Sequence, residues 1–157
     1  MKSNVESEIV LLLRRIVRAV ELDSRRLSKQ FNTTPAQLLA LRQLNISGTD
    51  TLAQLAEQVG LTSSTMVGVI DRLEKKGLVV RVRDKNDRRN VNIVITEAGK
   101  DYLKDSPKLL QDKFMDQLNR YSSEEKNNIF ASLKKVTDIM DAQKIDASPV
   151  LDAGGII

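Results

Sequence analysis

The chain of 157 residues has 25 basic and 21 acidic side chains, a formal net charge of +4, and contains no cysteine, histidine or tryptophan. Without cysteine there is no disulfide, iron–sulfur cluster, thiolate zinc site or thiol redox sensor. Without histidine the commonest general base and metal ligand is missing, so most enzyme classes fall away and no cofactor or metal is expected.

At 41% apolar and 29% charged residues, the length fits one folded domain, or a small domain with an oligomerisation arm. Glu6 and Glu8, with Ile9–Leu13 as the longest apolar run near the start, predict neither a signal peptide nor a membrane span, hence a soluble cytoplasmic protein. Val5, Ile9, Leu12, Leu13, Ile16, Val17, Val20, Leu27 and Phe31 recur at intervals of three and four, which predicts a long amphipathic helix to about Phe31. Thr34-Pro35-Ala36-Gln37 combines a cap, a first-turn proline and a glutamine three residues on, and starts a helix through Leu44. Ser47–Asp50 reads as a turn, and Thr51–Gln54 repeats the capping pattern to open a short helix, Leu52–Val59, closed by Gly60. Thr62 is the cap candidate for a helix over Ser63–Lys76, with Met66, Val69, Ile70 and Leu73 facing inward and Gly77 as its stop.

Two short helices joined by four residues have the form of a helix-turn-helix. The period then changes. Leu78–Arg83 is rich in β-branched residues, Asp84–Asn90 is a charged turn and Val91–Ile95 alternates, so a hairpin with a basic tip follows, in the position of a wing. Thr96 caps a helix predicted to run to about Leu118, bent by Pro107 and striped by Leu109, Leu110, Phe114 and Leu118. Ser122–Glu125 is a capping box for a last helix striped by Ile129, Leu133, Val136 and Met140. Four segments result: an N-terminal helix, 1–32; a winged helix-turn-helix, 33–96; C-terminal helices, 97–141; and a tail, 142–157. The fold class is mainly α with a small β-hairpin.

Charge follows this division. Residues 1–60 carry 8 basic and 6 acidic side chains, residues 61–96 carry 8 and 4, and residues 97–157 carry 9 and 11. All aromatic residues lie outside positions 32–101, so the basic segment has no stacking platform for single-stranded nucleic acid or RNA loops. Duplex DNA fits it better.

The ordered set Leu52-Ala53-Gln54-Leu55-Ala56, Ser64-Thr65, Asp71–Val79, Asp87-Arg88-Arg89 and Ile95–Gly99 resembles the MarR family of bacterial transcription regulators over about residues 5–140. The resemblance implies a homodimer, with terminal helices at the interface and a winged helix-turn-helix on each subunit bound to a pseudo-palindromic duplex. Physical reasoning points the same way: long amphipathic helices at both ends leave one apolar face too many for a monomer of this size. Each stripe by itself fits intramolecular core as well. Val5, Ile9, Leu118, Ile129, Leu133 and Val136 are the expected dimer contacts, and two-fold symmetry would set half-sites roughly 34 Å apart.

In the recognition helix, Ser63, Ser64, Thr65, Val67 and Gly68 form a small-residue face that suits the major groove, where hydroxyls reach base edges or phosphates and a valine touches a thymine methyl. For Ser63 and Ser64 the competing role is to satisfy free N–H groups at the helix start. Gly68 departs from the resemblance, since many members have a basic residue there. Arg72, Lys75 and Lys76 reach toward phosphates but stand among Asp71 and Glu74, a mixed-charge face on which Arg72 equally suits a structural ion pair. Around the hairpin, Arg81, Arg83, Lys85, Arg88 and Arg89 outnumber Asp84 and Asp87. By resemblance Arg89 enters the minor groove and Asp87 shapes the tip, with Arg88 beside them.

The expected function is a dimeric, sequence-specific regulator of transcription, a repressor released from its operator by a small molecule. Arg14, Arg15, Arg18 and Phe31 are candidate effector contacts, although such arginines equally snorkel over a helix surface or form pairs between subunits. A winged-helix adaptor or antirepressor that binds protein is the alternative, weakened by the basic wing. An enzyme is not expected, because Ser63 and Ser64 have no histidine to activate them.

Overall fold

The computed structural model describes residues 4–84, 90–143 and 145. Seven helices and three strands occur among them: α1 (Val5–Phe31), α2 (Pro35–Ser47), β1 (Thr49–Thr51), α3 (Leu52–Val59), α4 (Ser63–Lys75), β2 (Val79–Arg83), β3 (Val91–Ile95), α5 (Glu97–Lys104), α6 (Leu110–Leu118) and α7 (Ser123–Ile139). None of these helices is long and apolar enough to cross a membrane. They fall into two compact units, one running through Pro107 and the other starting at Lys108.

In the first unit, hydroxyl caps start the helices where expected. Thr34 accepts from the Gln37 N–H at 3.3 Å, and Thr51 and Gln54 close a reciprocal capping box. Gly60, at φ +78°, ends α3 in the left-handed conformation that glycine adopts without penalty. Leu41, Leu44, Leu55, Met66, Ile70, Leu73, Val79 and Ile93 bring α2, α3, α4 and the sheet onto one core. Shortening a fully buried member such as Ile70 to alanine should cost about 2–5 kcal/mol. That core fixes the orientation of α4.

Two expectations need correction. The Thr49–Asp50 half of the turn is the beginning of a strand: β1 pairs antiparallel with β3, Asp50 opposite Ile93, in a three-stranded sheet of order β1-β3-β2. Residue Gly48, at φ +80°, reverses the chain so that the three residues before α3 satisfy the otherwise open edge of β3. The buried Asp50 carboxylate is met by the Ser47 hydroxyl and by Gln58 Nε2 at 3.4 Å.

The helix after Thr96 is also broken where only a bend was expected. α5 stops at Lys104 and α6 starts at Leu110, because Pro107 keeps Ser106 out of the helical region and offers no N–H of its own. Leu109 therefore precedes the stripe and is buried as the residue before α6, its N–H donating to Asp112 Oδ2 at 2.8 Å.

The terminal helices keep much of their apolar surface in the open. Along α1 only Leu27 is buried, while Val5, Ile9, Leu12, Ile16 and Val17 are each about half exposed or more. In the second unit Leu133 and Phe130 of α7 are exposed, and Leu118, Ile129 and Val136 are half-buried. The apolar stripes of α1 and α7 thus lie largely on the surface among the described residues.

Candidate nucleic-acid interface

Helix α4 has two sharply different faces. Its inner face, Met66, Val69, Ile70 and Leu73, is buried almost completely, and its outer face near the N-terminus consists of small side chains. Ser63 and Ser64 are exposed, Val67 is 42% exposed, and Thr65 is half-buried, while Gly68 lies between Val67 and Val69 on the same turn. The cap is Thr62, whose hydroxyl accepts from the Thr65 N–H at 3.2 Å. That hydroxyl also lies 3.1 Å from Ser64 Oγ and donates to Thr65 Oγ1 at 2.9 Å. Ser63 is consequently the first helical residue and not the cap. The five expected groove contacts all lie in the first six residues of one helix. A Cβ added at Gly68 would meet nothing within 4 Å, so the surface there is a shallow gap.

The mixed-charge stretch resolves in a way sequence reasoning missed. Arg81 of β2 donates to Asp71 Oδ1 at 2.6 Å and also bonds the Glu74 carboxylate. Partial burial works against the Arg81 charge, yet the two carboxylates outweigh it and the guanidinium is shifted upward from its ordinary range. Arg81 therefore braces the base of the wing against α4 and is not a tip residue. The spacing of an arginine four residues past Gly77 held no signal for this, because the pairing depends on how β2 returns alongside α4. Arg72, Lys75 and Lys76 share a cleft with residues from the ends of α1 and α2.

The wing is a regular antiparallel pair, with Arg83 opposite Val91 and the Asp84 N–H donating to the Asn90 carbonyl at 3.0 Å. Lys85, Asp87, Arg88 and Arg89 lie outside the described residues. Of the effector candidates, Arg14, Arg15 and Arg18 are exposed on α1, with Arg18 paired to Glu21 at 3.1 Å. Phe31 lines a cavity of about 380 Å³ with Leu78, Ala98 and Tyr102. At 1.5 Å rise per residue, Phe31 lies roughly 20–25 Å along the helix from the three arginines, so the four do not converge within one subunit.

The geometry defines a winged helix-turn-helix of the kind that reads duplex DNA. The sequence model of the MarR family matches residues 33–91. An uncharacterised HTH-type transcriptional regulator of Bacillus subtilis, YcgE, is 33% identical over 142 residues, covering 90% of this chain and 92% of its own. Among solved structures, a mutant MarR from E. coli complexed with operator DNA is 25% identical with a TM-score of 0.58, covering 85% of this chain and 99% of its own. The S. aureus MepR–DNA complex, 24% identical, has the same fold, with a TM-score of 0.63 over 83% of this chain and 96% of its own. The chain belongs to the MarR family and is a DNA-binding transcriptional regulator.

Proposed function

We propose that the protein acts in the cytoplasm as a homodimeric repressor that grips a pseudo-palindromic operator and releases it when a small molecule binds. The observation that carries this reading is α4, with four buried side chains behind it and only short ones in front. A helix backed by core and fronted by serine, threonine, valine and glycine can seat deeply in the major groove and hydrogen-bond there without moving. In this reading Ser63, Ser64, Thr65, Val67 and Gly68 face base edges and neighbouring phosphates. Arg89 enters the minor groove from the wing with Arg88 beside it on the DNA, and Asp87 serves as the acidic partner of the tip.

Dimerisation is supported by the open apolar faces of α1 and α7. A second copy covering Val5, Ile9, Leu118, Ile129, Leu133 and Val136 would remove them from water at roughly 25 cal/mol per Å² of apolar surface. The operator-bound E. coli relative supports the DNA part of the proposal. An Arg89→Ala variant should lose about 1–3 kcal/mol of affinity on nearly every duplex sequence and show a shallower salt dependence. Unchanged binding in that variant would remove the wing from the interface.

A further inference from the structure

The outward line of α4 carries acid as well as small side chains. Ser64, Gly68, Asp71 and Lys75 follow one another at intervals of four, three and four residues, so they share one face of the helix, opposite the buried Met66, Val69, Ile70 and Leu73. Asp71 therefore stands about 5 Å further along the axis than Gly68, and Glu74 is its neighbour on the next turn. The two carboxylates keep 48% and 39% of their side-chain surface open. Negative charges so close to a face that meets phosphates would repel them, because the separation is shorter than the Debye length of about 8–10 Å at ordinary salt.

What meets these carboxylates is Arg81. Val79 is buried in the core, and the period-two alternation of β2 turns Arg81, two residues on, to the same side of the sheet. There its guanidinium bonds Asp71 Oδ1 at 2.6 Å and the Glu74 carboxylate together. Among the described residues no other cation is paired with either. Lys76 is turned elsewhere, donating to the Asn32 carbonyl and, at 2.8 Å, to Gln37 Oε1. Arg81 is also the least exposed member of its triad, which suits a charge directed at its neighbours and not at a phosphate.

We propose that Arg81 works in DNA binding as an internal counter-charge, masking Asp71 and Glu74 so that the face of α4 ahead of them can approach the phosphates that flank the major groove. It is a positioning residue and not a DNA contact. Without it, two unmasked negative charges stand on the helix that enters the groove. The inference rests on the placement of α4 proposed above. It is separable from the bracing of the wing, because a mask becomes unnecessary once the carboxylates are gone, whereas a brace does not.

The test measures affinity, by fluorescence anisotropy at low salt, for the tightest-binding duplex recovered from a random library. Arg81→Met should bind about three- to tenfold more weakly than the parent. Adding Asp71→Asn and Glu74→Gln to that variant removes the charges together with their mask, and affinity should return to the parental value or exceed it. The same two substitutions with Arg81 in place should also bind at least as tightly as the parent. Arg81→Lys, which keeps the charge, should stay within about twofold of it. Denaturant unfolding of each variant shows that the affinities refer to folded chain. Unchanged affinity in Arg81→Met would overturn the proposal. A triple variant that stays as weak as Arg81→Met with the parental salt slope would overturn it in favour of bracing alone, and one with a slope shallower by about one would make Arg81 a phosphate contact. A parent chain that binds no duplex fails the operator reading and this inference with it; parental binding without recovery in the triple variant fails only the counter-charge.

Discussion

The Arg81 guanidinium on β2 lies 2.6 Å from the Asp71 carboxylate on α4, and the same side chain bonds Glu74 one turn further on. One residue at the base of the wing thereby ties the hairpin to the helix that presents the candidate DNA contacts. Both carboxylates are more than a third exposed, so water screens the pairing and its contribution is at most about 1 kcal/mol. Arg81→Met should lower unfolding free energy by about that amount at low ionic strength and by less in high salt. Denaturant unfolding at two salt concentrations measures it. An identical loss at both would mean that packing of the arginine stem, and not charge, holds the wing.

Gly99, in the first turn of α5, is buried where the helix meets the end of α4 and the sheet. A Cβ there would lie 2.2 Å from the Leu78 carbonyl oxygen and 2.7 Å from Ile95 Cγ1. The first obstacle is backbone, itself held by the Thr96 N–H at 3.0 Å, so relief requires α5 to move. Gly99→Ala is therefore expected to destabilise the first unit by about 1–3 kcal/mol despite alanine's better helix propensity. A raised denaturation midpoint would contradict the packing.

What is legible in the amino-acid order divides along physical lines. Helix α1 announces itself through three-and-four spacing, and α3 and α4 through that spacing bounded by Thr51, Gly60 and Thr62, all local signals. Strand β1 does not, because three residues show no period and its existence depends on β3 some forty residues later. At Pro107 the signal is present but stronger than a bend: a proline that also constrains Ser106 ends a helix more readily than it kinks one. The small-residue face Ser63–Gly68 is legible because the buried positions of α4 leave only one face for it. The Arg81 brace is not, since it arises from tertiary approach of β2 to α4.

Gly68 occupies an uncrowded position on the outer face of α4, with nothing to obstruct a side chain. Gly68→Arg should fold at least as well as the parent, because replacing a mid-helix glycine gains about 0.5–1 kcal/mol. If this face enters the major groove, the variant also gains duplex affinity, a steeper salt dependence and a preference for guanine at one position in each half-site. Unfolding curves and selection from a random duplex library check both halves. An arginine here that leaves sequence preference untouched would place this face outside the groove.

At the start of α7 the Glu125 carboxylate accepts from the Ser122 N–H at 2.8 Å, and the Ser122 hydroxyl accepts from the Glu125 N–H at 3.2 Å. Hydrogen bonding from the Ser122 backbone, then from its side chain, lowers the Glu125 pKa from its ordinary value. A depressed folded-state pKa contributes stability above the unfolded value, and that contribution disappears as pH falls through the folded value. Fraying of the first turn of α7 is therefore expected only in acid, below the ordinary glutamate range. Amide exchange at Ser122 should accelerate there, and in Glu125→Ala it should be fast at neutral pH as well. Exchange independent of pH, after correction for intrinsic rates, would contradict the reciprocal cap.

Two copies of the chain are expected to present two α4 helices and two wings to one duplex. Selection of bound sequences from a random duplex library, followed by light scattering of the purified complex, tests this most directly. The expected result is an inverted repeat with half-site centres about one helical turn apart, roughly 34 Å, and two chains on each duplex. Enrichment of a single unrepeated site bound by one chain, or no enrichment at all, would contradict it.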